Sequence, residues 1–221
     1  ETTWRMARPL LDRLQPGSFE RESLELRLLS RSMYTADRAG DAAAARKFGA
    51  GVAERLAALK PPVESMKRTW DDLYVEYLQA LGRLALDAND YEAAEKHYRA
   101  RAEHQKALGQ RGLRLQRDAA DNAAFLAIAL GKLGRADEAR SLAEPSLKFQ
   151  RELHARAHDD AGQRTELAYA LYAAALADPS RAKALLGEAH AVLGSLPPQM
   201  RGMHFAHSLQ ERVAAELRSS R

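Results

Sequence analysis

Apolar side chains recur along nearly the whole chain at intervals of three and four residues, the spacing of one face of an α-helix. Trp4, Ala7, Leu11 and Leu14 stripe a short helix over 4–14, which Pro16-Gly17 stops. Ser18 stands where an N-cap belongs, and 19–38 carries Leu24, Leu28 and Met33 at helical spacing. Gly40-Asp41 makes the next turn, and 42–59 sends Phe48, Val52, Leu56 and Leu59 inward before Pro61-Pro62. A long helix follows over 63–86, with Trp70, Leu73, Tyr77, Leu78, Leu81 and Leu84 on its buried side. Across Asn89-Asp90 its partner covers 91–108 through Tyr91, Ala94, Tyr98 and Ala102. Gly109 and Gly112 bracket a break; 113–133 then carries Phe125, Leu126 and Leu130, and Gly134 ends it. Its partner spans 136–157, where Pro145 removes one helical hydrogen bond and should kink the helix. A last pair, 162–177 and 180–193, turns at Asp178-Pro179. Pro197-Pro198 leads into a final helix over 199–218, polar enough at Gln210, Glu211, Arg212 and Arg218 for a solvent-facing cap.

Composition narrows the fold to one class. The 221 residues include 44 Ala and 32 Leu against 5 Val and 1 Ile. Ala and Leu lead the helix scale and β-branched residues favour strands, so the fold class is all-α. The charge is balanced, 34 basic residues against 30 acidic, which argues against a dedicated nucleic-acid binder. With no cysteine, disulfides, thiolate metal sites and cysteine nucleophiles are excluded, and the compartment stays open between the cytoplasm and the periplasmic part of a membrane protein. No apolar run approaches the roughly 18 residues of a membrane span, so no direct membrane insertion is expected. The chain opens on Glu1 without a signal peptide, which suggests a processed chain or a piece of a longer protein.

The helix pairs repeat. Set on the alanine after each turn, they fall at Ala45, Ala94, Ala139 and Ala182, spacings of 49, 45 and 43. In the central pair, Leu81-Gly82 in the first helix is followed by Tyr91, Ala94 and Tyr98 opening the second, and the next pair keeps Gly134, Ala139 and Ala143. This pattern resembles the tetratricopeptide repeat in a long bacterial variety, most clearly over 66–145 and more weakly over 19–60 and 163–195. The resemblance implies a right-handed superhelical array of antiparallel helix pairs, about ten helices in all. It divides 1–221 into a leading helix (1–18), pairs at 19–60, 63–110, 112–158 and 162–195, and a C-terminal capping helix at 198–218. Three features depart from the family: the spacing exceeds its usual length of about 34 residues, the proline after the second helix is missing, and alanines follow Gly40-Asp41 where an aromatic belongs. Leu81-Gly82-Arg83-Leu84 and Leu130-Gly131-Lys132-Leu133 match at an offset of 49 although Ala94 and Ala139 differ by 45. Four extra residues at 85–89 are therefore expected to carry the first helix of the central pair one turn further and leave 87–90 proud of the edge.

In that family the first helix of each pair lines a concave groove. The resemblance then implies groove positions at Arg27, Arg31, Tyr34 and Arg38, at Glu76, Gln79 and Arg83, and at Asp121. Half of these are arginines, so the expected partner is a protein or peptide that is acidic or extended. The expected function is a non-catalytic binding scaffold within a larger bacterial signalling or regulatory protein. The alternative is a regulatory domain that senses a small molecule in the groove. The Lys and Asn clamp for a partner's C-terminal carboxylate is not present. No Gly-rich phosphate loop, nucleophile elbow or metal-ligand spacing points to an enzyme, a cofactor or a metal. His154 with His158, and His204 with His207, read as surface pairs, and Asp71-Asp72 and Asp159-Asp160 as acids favouring helix N-termini. Arg99, Arg101, Lys106, Arg111, Arg114 and Arg117 read as a solvated face interrupted by acids, with no nucleic acid expected. Pairing of two copies through the final helix stays open.

Overall fold

The computed structural model describes residues 2–59, 64–107 and 113–219, with the side chains of 2–5, 38, 65 and 114 excepted. The expected breaks at Pro61-Pro62 and at Gly109–Gly112, the side chains of Trp4, Arg38 and Arg114, and Arg111 lie outside what is described. Among the described residues the chain is all-α. Its helices are α1 (Thr2–Leu11), α2 (Phe19–Arg38), α3 (Ala42–Ala58), α4 (Glu64–Asp87), α5 (Tyr91–Ala107), α6 (Leu113–Lys132), α7 (Ala136–Arg156), α8 (Ala161–Ala177), α9 (Ala182–Gly194), α10 (Pro198–Arg201) and α11 (His204–Ser219). Neighbours in sequence pack as antiparallel pairs. Helix contacts group the chain into two units, Glu1–Leu84 and Ala85–Arg221, and the boundary falls inside α4.

Local chemistry accounts for the helix ends. The Ser18 hydroxyl accepts from the Arg21 N–H (3.3 Å), and Asp41 and Asp160 cap α3 and α8 in the same way. Three turns share one construction. Gly40, Asn89 and Gly134 adopt φ of 77°, 58° and 76°, the left-handed region that Gly and Asn tolerate. The next residue in each case donates its N–H to the carbonyl five positions back: Asp41 to Ala36, Asp90 to Ala85 and Arg135 to Leu130, all at 2.9 Å. Four residues after each N-cap position comes an alanine with no exposed surface, Ala45, Ala94 or Ala139.

The fourth turn differs. Asp178 leaves α8 in an extended conformation, and its carboxylate accepts from the backbone and hydroxyl of Ser180. The buried position of α9 is Leu185, whose N–H bonds to Arg181, so Leu185 and not the half-buried Ala182 is the equivalent of Ala139. Pro179 stands where the other turns place their left-handed residue; its ring holds φ at about −65°, so that turn cannot form, and the N–H of the next residue, Ser180, goes to the Asp178 carboxylate instead.

The matched Leu-Gly pairs also occupy different levels. α4 runs five residues past Gly82 and α6 one past Gly131, so the four extra residues are helical as expected, and both helices stop two residues before their left-handed turn residue. Gly82 lies seven residues before Asn89, and Gly131 three before Gly134. Of 87–90, only 88–90 are exposed. Asp87 is half-buried beneath α11, where its carboxylate accepts from Ser208 (3.1 Å) and lies 3.4 Å from the His204 ring and 3.5 Å from Arg212.

In the first unit α2 packs on α3, and Leu26, Val52, Leu56 and Leu73 form the core under Trp70, which stacks on Tyr74 at 5.0 Å. In the second unit α8 is central. Helices α6, α7, α9 and α11 all pack on it or on its neighbours, and eleven of its residues are buried. Tyr98 and Phe125 stack at 5.4 Å, and Phe125 meets Tyr169 at 4.7 Å. Burial of a ring of this kind contributes roughly 2–3 kcal/mol.

The expected single final helix is two helices. Gly202, a poor helix former, closes α10, and α11 restarts after Met203, whose carbonyl accepts from His207. This break raises the count among the described residues to eleven, against about ten expected.

Candidate functional site

α2 and α4 line an open cavity of about 430 Å³ within the first unit. α2 supplies Arg27, Ser30, Arg31, Met33 and Tyr34, and α4 supplies Glu76, Gln79 and Ala80. Intervals of three and four residues on each helix bring these side chains to one face. Met33 and Ala80 are buried at the bottom, whereas Arg27, Arg31 and Glu76 are exposed at the rim. Neither Arg27 nor Arg31 has an ion-pair partner among the described residues. Five of the eight residues expected in a groove therefore meet at one cavity: Arg27, Arg31, Tyr34, Glu76 and Gln79.

Arg83 does not line this cavity. Its side chain is 11% exposed and reaches within 3.4 Å of the Asp37 carboxylate, itself 2% exposed. The same guanidinium lies 5.7 Å from the centre of the Tyr34 ring. Arg83 thus holds the aromatic wall of the cavity by a cation–π contact, and Asp37 balances its charge. Ser30, Ala80 and Asp37 are not among the residues singled out by the sequence pattern, and Met33 is expected there only as an apolar helix residue. A helical wheel carries the signal for Ser30, three residues from Arg27, but nothing local distinguishes Asp37 from a surface acid.

Asp121 belongs to the second unit, in a buried polar network. Gln150 donates to its carboxylate (2.6 Å), and Gln163 donates to the Gln150 carbonyl (2.6 Å). Beside it, Arg101 donates to the Asp118 carbonyl and the Asn122 side chain, both at 3.2 Å, and Asn122 donates to the Tyr98 carbonyl. Burial, reinforced by the nearby Glu166 carboxylate, pushes the Asp121 carboxyl up to about 7. Glu166 is also raised by burial, against the pull of Arg117 at 3.1 Å. This network ties α5, α6, α7 and α8 together.

The basic run loses its uniform character in the fold. Arg101 is 2% exposed, and its burial lowers its pKa. It sits in the buried network and not on a solvated face, and its Nη1 donates to Asn122 and the Asp118 carbonyl across the α5–α6 contact. Arg99 is tied to Glu95 (2.7 Å) and Glu138 (3.1 Å). Asp71 is likewise buried, against Lys67 at 2.8 Å, while Asp160 caps α8. His154 lies in the last turn of α7, and His158 beyond it is exposed beside Asp159. Among the described residues no three His, Cys, Asp or Glu side chains converge as a metal site would require, and no helix is long and apolar enough to cross a membrane.

No protein-family model, no curated protein and no solved structure matches this chain.

Proposed function

We propose that the chain is a non-catalytic, tetratricopeptide-like binding module that holds an acidic or extended peptide of a protein partner against the α2–α4 face. Sequential pairing of the helices and the thrice-repeated turn support the family reading. The observation that carries the function is the cavity itself, where Arg27 and Arg31 present two uncommitted guanidinium groups beside Tyr34 and Gln79. Paired guanidiniums on a rigid helix recognise carboxylates in fixed geometry, and an aromatic wall adds contact area at small entropic cost. The test uses fluorescence anisotropy with degenerate peptide libraries, one centred on Glu and one on Lys. Preference for the Glu library, lost in Arg27→Glu and Arg31→Glu at unchanged melting temperature, is expected. Equal binding of the two libraries sinks the assignment. Arg83 is unsuited to this test, since its substitution disturbs Asp37.

A second reading has one observation of its own. The cavity volume, about 430 Å³, falls within the roughly 300–1,000 Å³ of small-molecule sites. Regulatory sensing of a metabolite then predicts thermal stabilisation by single compounds and none by peptides.

A further inference from the structure

We infer that the α2–α4 cavity takes an extended peptide whose two acidic residues stand at alternate positions, one on Arg27 and one on Arg31; this rests on the reading of the cavity as a peptide-binding site. Arg27 and Arg31 lie four residues apart on α2, both are exposed, and neither has an ion-pair partner among the described residues. One guanidinium takes one carboxylate through two parallel hydrogen bonds, so this pair calls for two carboxylates. Because α2 is helical throughout Phe19–Arg38, the stems of the two side chains are held about 6 Å apart along the axis.

That separation selects among peptide conformations. In an extended chain, residues i and i+2 point to the same side about 6.6–6.8 Å apart, close to the spacing of the two arginines. Residues i and i+1, or i and i+3, point to opposite sides, so such pairs offer α2 one carboxylate at a time. A helical peptide also sets i and i+4 about 6 Å apart, but it needs more than one turn to do so. A turn about 10–12 Å across and 5.4 Å high occupies roughly 400–600 Å³. The cavity holds about 430 Å³ in all, no more than one such turn, so a helix bearing both acids does not enter it. An extended segment running along α2 fits the same space and brings both carboxylates to the arginines.

The experiment titrates the full chain with labelled Gly/Ser peptides carrying two Glu set adjacent, alternate, three apart or four apart. An Ala-rich helical peptide with Glu at i and i+4 and a peptide with one Glu serve as controls. The alternate spacing is expected to bind at least about threefold more tightly than every other peptide, the gain of one further exposed ion pair, and to lose that margin in 1 M salt. Arg27→Glu should remove the margin, and replacing one of the two Glu by Lys, and only that one, should restore it. Arg31→Glu should be restored by Lys at the other position, with the helical circular dichroism of both variants unchanged. Equal binding of the four spacings, tightest binding of the helical peptide, or rescue of both variants by the same Lys peptide overturns the alternate register and leaves the acidic-peptide reading standing. No binding of any Glu peptide, or an alternate preference that survives both arginine variants, overturns both.

Discussion

Asp121 shows how far a single carboxyl can be moved by its surroundings. In the folded chain it keeps its proton up to about pH 7, while in the unfolded chain it loses it near the ordinary value of 3.8. Between these limits folding takes up a proton, so stability falls as pH rises from about 4 to 7 and the full cost is present above 7. Asp121→Asn keeps an acceptor for Gln150 and has no charge to bury. The variant should be more stable than the parent at pH 8, by on the order of 2 kcal/mol, and close to it at pH 4. Thermal melts at both pH values check this, and a variant less stable than the parent at pH 8 refutes it. The Asp37–Arg83 pair is the opposite case, two charges that stabilise only together. Asp37→Ala leaves the guanidinium buried without its balancing charge and should cost about 3 kcal/mol in chemical denaturation, whereas Arg31→Gln at the rim should change stability by less than about 0.5 kcal/mol. A loss below 1 kcal/mol for Asp37→Ala contradicts the burial described for the pair.

At the scale of helices, close approach and terminal packing decide the arrangement. A Cβ built on Gly131 lies 2.9 Å from the Leu176 Cβ, so α6 and α8 approach to a distance that only glycine allows. Gly131→Ala should cost about 1–3 kcal/mol, because the clash is with the stem of Leu176 and not with the end of a flexible side chain. Gly187 has no such neighbour, and Gly187→Ala should stabilise by up to about 1 kcal/mol through helix propensity. Denaturant melts of the two variants, shifted in the same direction, would show that the α6–α8 contact is looser than described. α11 is an integral part of the second unit. Ala206, Leu209 and Val213 are buried, Tyr169 donates to the Phe205 carbonyl (3.0 Å), and Arg212 donates to the Leu86 carbonyl (2.6 Å). Ending the chain at Met203 should lower the melting temperature and create a binding surface for an apolar dye, since the covered faces of α8 and α9 become exposed. An unchanged melt of the shortened chain would show that α11 contributes little.

For the whole molecule, the legible and the illegible features divide by range. The helices and most of their limits could be read from the residues because the causes are local: a 3.6-residue period, Asp or Ser at N-caps, and Gly or Asn where the backbone turns left-handed. Arg27, Arg31 and Tyr34 on α2, and Glu76 and Gln79 on α4, line one cavity because intervals of three and four residues put them on one face of each helix. The all-α class followed from Ala and Leu outnumbering the β-branched residues. Tertiary structure decided what depends on distant partners. Arg101 and Arg99 lie two residues apart on α5, yet one is buried against Asn122 and the other faces Glu95 and Glu138. Arg83 turns to Asp37, 46 positions away in the chain, and Asp87 meets Ser208, 121 positions on. The Leu-Gly pairs, alike in sequence, sit at different heights above their turns because only the turn and the packing against the next helix set the level. The chain's local chemistry determined where it forms helices and which faces are apolar. Long-range contacts, through desolvation and charge pairing, decided which of its many arginines are buried and which stand open at a cavity.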